Sequence, residues 1–219
     1  MGCSTKQLRG ISARTELAAI VRCYSANHRP RKEHELDAFR NEASLRSAVE
    51  RATAALDSEN KQFDHQRRIR RDSKSSAKGA LSSILPQLRR CRRFDQLIDL
   101  IETSLSEIKG IGPLYVYDTA LRIGAKLGLL PDKVYLHSGT RTGAKYLGLR
   151  TDVPALRTED LPRELQGMPL YEVEDILCIY KDNFSSANGV RSAKTSANAS
   201  RISSGARACG CGPWPSRTG

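Results

Sequence analysis

Phe94, Leu97, Ile98, Ile101 and Leu105 recur at the spacing of a single helix face, and the segment runs straight into Lys109-Gly110-Ile111-Gly112-Pro113. Glycine at 110 and 112 lets the backbone adopt positive φ, and proline at 113 suits the first position of a new helix. Beyond it Val116, Ala120, Ile123 and Leu127 form a second inward stripe, which Gly128 ends as a C-terminal glycine. Ala120 and Gly124, four residues apart, leave room for a second helix to approach closely. Residues 104–128 therefore predict a helix, a tight glycine turn and a second helix. Such a turn points main-chain N–H groups outward at a helix start, where a phosphate oxygen is readily seated.

Ile108-Lys109-Gly110-Ile111-Gly112 reads apolar-x-Gly-apolar-Gly and resembles the hairpin of the helix-hairpin-helix family. The resemblance covers about 25 of 219 residues. It implies an all-α domain whose hairpin grips the nucleic-acid backbone without reading sequence. The residues expected to make that contact are Lys109, Gly110, Ile111, Gly112, Arg122 and Lys126, joined by Arg141 and Lys145 from a second glycine-bearing stretch, residues 137–150. There Gly139 and Gly143 frame Thr140-Arg141-Thr142 in what reads as a looser version of the first turn.

Charge agrees with a polyanionic partner: the formal net charge is +12 and the pI about 9.7. Aromatics make up only 5% of the chain, too few for an extended platform on which single-stranded bases stack. Arginine gathers at Arg67, Arg68, Arg70 and Arg71, and again at Arg89, Arg90, Arg92 and Arg93. Either cluster could contact phosphate or be a solvated face. No run of 18 apolar residues suggests a membrane span. The six cysteines lack zinc spacing, Cys209-Gly-Cys211 being too tight, and read as free thiols of a cytoplasmic protein. In a bacterium the protein is expected at the nucleoid.

Taken in order, residues 1–33 read as a weakly ordered basic lead-in with one short helix over 15–24. Residues 34–182 read as the helical domain, and 183–219 as a disordered basic tail rich in Ser, Ala and Gly. Within the domain Ser44 caps a helix whose stripe is Leu45, Ala48, Val49 and Ala52. Asp57–Asn60 is a turn, Leu81, Ile84, Leu85 and Leu88 read as a helix that Pro86 kinks or shortens, and Pro131-Asp132-Lys133 reads as the start of another helix. Residues 151–168 are a connector, and Leu170, Val173, Leu177 and Tyr180 stripe the last helix.

Catalysis finds little support. Tyr117-Asp118-Thr119 looks like the aspartate-bearing landmark of the helix-hairpin-helix glycosylases, but Asp118 lies only six residues past Gly112, where the family places a whole helix and loop. The position of the lyase-type lysine is Leu114, and no cysteine quartet for an iron–sulfur cluster exists. Asp118 reads instead as a helix-surface carboxylate pairing with Arg122. His28, His34, His65 and His137 lack metal-ligand spacing, and no cofactor is expected. The leading expectation is thus sequence-independent binding of DNA, or of RNA. A helical protein-interaction module and a glycosylase-like enzyme are the alternatives.

Overall fold

The structure, a computed structural model, describes residues 13–188. It is all-α: 67% helical with a single two-stranded sheet among the described residues. The helices are α1 (Ala13–Asn27), α2 (Arg29–Arg40), α3 (Leu45–Ala54), α4 (Arg71–Ser83), α5 (Leu85–Arg90), α6 (Phe94–Leu105), α7 (Pro113–Leu127), α8 (Ser138–Tyr146), α9 (Arg163–Gln166), α10 (Leu170–Ile179) and α11 (Lys181–Asn188). Strand β1 (Val134–Tyr135) pairs antiparallel with β2 (Ala155–Leu156). No described helix is long and apolar enough to cross a membrane.

Local rules account for most boundaries. Ser44 Oγ accepts from the Ser47 amide at 3.0 Å while the Ser44 amide donates to Ser47 Oγ, closing a capping box at the start of α3. Asp57 Oδ1 accepts from the amides of Glu59 and Lys61, both at 2.9 Å, which builds the turn after α3. Pro86 falls in the first turn of α5, so the interruption becomes a helix break at Ile84.

Two hydrophobic cores result. The first surrounds α7 with residues of α2, α3, α4 and α6. Every residue of α7 from Tyr115 to Ala125 is buried, so this helix is wrapped on all sides. A Cβ on Gly124 would sit 3.3 Å from the Phe94 ring and collide with the Leu129 carbonyl. This is the close helix approach expected of a small residue there. The second core joins α1, the sheet, α8, α10 and the start of α11.

The structure departs from the sequence reading in three places. Packed structure begins well before residue 34: α1 buries Leu17, Ile20, Cys23 and Tyr24 against the second core. Lys133 precedes a strand rather than a helix, because Lys133 Nζ and Tyr135 Oη both bind Asp95, at 2.8 and 2.6 Å, and hold the segment extended against α6. Gly139 and Gly143 do not frame a second turn, since both lie inside α8. There a Cβ on Gly139 would come 2.5 Å from Cys178 Sγ, and one on Gly143 would overlap the Leu177 carbonyl. These glycines let α8 lie flush on α10. The expected tail from 189 onward and the lead-in before 13 lie outside the described residues.

Candidate nucleic-acid interface

The turn between α6 and α7 is anchored by its isoleucines and exposed at its glycines. Ile108 and Ile111 rest against the first core, and the Ile111 amide donates to the Ile108 carbonyl at 3.2 Å. That bond requires Gly110 at φ +87°, in the left-handed region. Lys109, Gly110 and Gly112 are consequently pushed out to solvent. Gly112 caps α7 with an extended backbone, and its carbonyl accepts from Val116. Nothing lies within 4 Å of the position a Cβ would take there. Among the described residues the amides of Gly110 and Gly112 donate to no acceptor.

Helix α4 abuts this turn. Ser73 Oγ donates to the Lys109 carbonyl at 2.8 Å, and the same oxygen lies 3.5 Å from where a Gly110 Cβ would stand. The start of α4 therefore lies beside the glycines, with exposed Arg70 three residues before Ser73 on the same helix face, while Arg71 and half-buried Lys74 turn toward α3. Arg70 is 3.8 Å from Asp72, whereas Arg71 and Lys74 have no carboxylate within 4.0 Å among the described residues. The second arginine cluster sits elsewhere. Arg92 and Arg93 precede the first residue of α6, and the turn follows its last. Twelve residues of helix separate them, about 18 Å.

Of the eight residues expected to touch nucleic acid, four form this turn. Lys145 is exposed on α8, whose packing partners are α10 and α11. The other three are already engaged inside the protein. Arg122 is 2% exposed, bonds Glu35 Oε1 at 2.9 Å and Gln66 Oε1 at 3.0 Å, and lies 3.8 Å above the Phe63 ring. Lys126 Nζ caps the end of α2, donating to the carbonyls of Arg40 (3.1 Å) and Glu42. Arg141 is spent on main-chain carbonyls: Leu136 at 2.8 Å, Val153 at 3.1 Å, and Thr151.

Asp118 is likewise no surface carboxylate. It is 9% exposed, and its Oδ2 receives Gln66 Nε2 at 2.6 Å and faces His65 Nε2 at 2.8 Å. Burial pushes its carboxyl up, but the His65 bond and the Arg122 charge outweigh that and hold it below the usual range. Instead of an i, i+4 pair on one helix face, Arg122 and Asp118 meet through Gln66, which bonds both.

A separate polar seam lies where α1, α2 and the start of α8 meet α10. Arg29 bonds buried Glu172 at 2.6 Å, Lys32 reaches Asp175 at 3.2 Å, and Tyr24 Oη donates to Asp175 at 2.9 Å. Burial, reinforced by Glu174, pushes the Asp175 carboxyl up to about 7. His137 Nε2 stands 2.5 Å from Glu174 Oε1, to which Thr140 also donates at 2.6 Å. Burial lowers the His137 pKa, yet the bond to Glu174 prevails and leaves it raised. Sequence reasoning missed the seam, reading in this helix only the apolar stripe of Leu170, Val173, Leu177 and Tyr180. The available signal was three carboxylates in an otherwise apolar helix, since a helix that is apolar around most of its surface is buried and its acids then need partners.

No protein-family model, curated protein or solved structure matches this chain.

Proposed function

We propose that this protein binds nucleic acid by its phosphate backbone, without reading sequence, through the Lys109–Gly112 turn and the adjoining half of α4. One observation carries the reading. Two solvent-facing amides without acceptors, Gly110 and Gly112, stand at the mouth of α7 beside the exposed Lys109, with Arg70 at the adjoining start of α4. Main-chain donors at a helix start favour an anion, and flanking cations add a salt-sensitive attraction. The turn also has the apolar-x-Gly-apolar-Gly pattern that the helix-hairpin-helix family uses for backbone contact. Arg122, Lys126 and Arg141 take no part, being bonded within the fold.

Gly112→Glu tests the reading. The site is open, its φ of −115° suits any residue, and a carboxylate is well tolerated at a helix start. Folding should be unaffected while the phosphate seat is filled by negative charge. Duplex affinity at low salt should fall at least tenfold with the helical content unchanged; equal binding by the variant would remove the turn from the interface.

A further inference from the structure

On its other flank α4 faces α3 across an open cleft of about 540 Å³. Arg71, Lys74 and Lys78 follow one another at three- and four-residue spacing, which puts them on one face of α4, and Arg67 joins them from the preceding loop. The facing wall includes Glu50 and Thr53 of α3. Four cations and one carboxylate thus line a volume in the range of small-ligand clefts.

The internal compensation is incomplete. Glu50 is committed to Lys78 at 3.4 Å, and Arg67 is held by Asp64 at 2.7 Å. Arg71 and Lys74 are left facing each other at i, i+3, an arrangement that destabilises a helix unless something neutralises it. Burial and the Arg71 charge both lower the Lys74 ammonium pKa. An anion with several oxygens would neutralise this pair. Arginine presents a planar fork that matches phosphate with two parallel bonds, and lysine supplies a compact second charge.

We infer that the cleft between α3 and α4 is a second phosphate-binding seat, in which Arg71 and Lys74 hold a phosphate group with Arg67 and Lys78 at its margins. It is distinct from the glycine turn: Ser73 faces the turn, while its neighbour Lys74 lines the cleft. The two seats flank one helix, about 10 Å across. The phosphate belongs either to the strand held at the turn or to a free polyphosphate.

Calorimetric titration of the full chain with pyrophosphate, alongside salt-dependent binding to random-sequence duplex, tests this. The variants are Arg71→Gln/Lys74→Gln and Glu50→Gln, with Gly112→Glu reporting on the turn. Loss of pyrophosphate affinity by tenfold or more in the double variant, with tighter binding by Glu50→Gln, identifies a free polyphosphate seat. A drop of about two in the slope of log K against log salt for duplex, roughly 0.9 per lost contact, identifies backbone phosphate. If the double variant changes neither, the cleft is no phosphate seat, whatever Gly112→Glu does. If only Gly112→Glu leaves duplex binding intact, the turn fails and the cleft stands.

Discussion

Ser73 Oγ donates to the Lys109 carbonyl at 2.8 Å across 36 residues of sequence, and this bond docks α4 on the glycine turn. Ser73 is 7% exposed, on the buried face of α4 with Ala77 and Leu81. A serine in the middle of a basic, polar stretch thus connects the two segments proposed to contact phosphate. Ser73→Ala should lower stability by about 1 kcal/mol, the usual worth of a hydrogen bond. It should also weaken duplex binding severalfold, because the turn and α4 lose their fixed relation. Urea unfolding and duplex titration on one sample read both; an unchanged unfolding midpoint would mean the bond contributes nothing.

Arg122→Met separates a structural arginine from a binding one. Its side chain is 3% exposed and that of Glu35 17%. Removing the cation leaves Glu35 and Gln66 without their partner, and breaking such a buried pair typically costs about 3 kcal/mol or more. Thermal unfolding should show a large drop. The salt slope of duplex binding, measured where the variant is folded, should match that of the wild type. A slope smaller by about one would instead mark Arg122 as a phosphate contact.

Gly143→Ala distinguishes a packing glycine from a phosphate-binding one. The added methyl would overlap the Leu177 carbonyl, so α8 must lift from α10. Overpacking of this kind costs about 1–3 kcal/mol. Calorimetry should record a lower melting temperature while duplex affinity of the folded protein stays constant. Gly112→Ala should do the reverse, with little thermal effect, since nothing lies within 4 Å of its Cβ position.

His137 should make stability fall with rising pH. Its folded pKa lies above the unfolded value, so its contribution is complete below the ordinary histidine range, about 6.5, and disappears as pH climbs through the raised folded value. His137→Gln should flatten that part of the profile. Asp118 works in the opposite sense: its folded pKa is depressed, so its contribution is present above the unfolded carboxylate value and is lost as acid titrates the folded group. Urea midpoints across pH 3 to 9 for wild type and His137→Gln check both signs, and superimposable profiles above pH 6 would dismiss the histidine.

The sequence by itself determined the all-α class, the capped start of α3, the stripe of α6, the left-handed Gly110 turn and the glycine end of α7. Each depends on residues within a few positions of one another, so spacing and backbone preference suffice. Only the tertiary structure decided which charges remain available. Arg122 and Lys74 look alike in the sequence, but Arg122 meets Glu35 from 87 residues away and is spent, while Lys74 meets no carboxylate within 4.0 Å among the described residues. Asp118 was taken for a surface acid because His65 lies 53 positions earlier. The glycines of α8 read as a turn in the sequence because Leu177 and Cys178, which they admit, lie more than 30 residues downstream. Periodicity records which way a side chain points from its own helix; whether an opposite charge or a second helix waits there is settled by chain segments that only folding brings together.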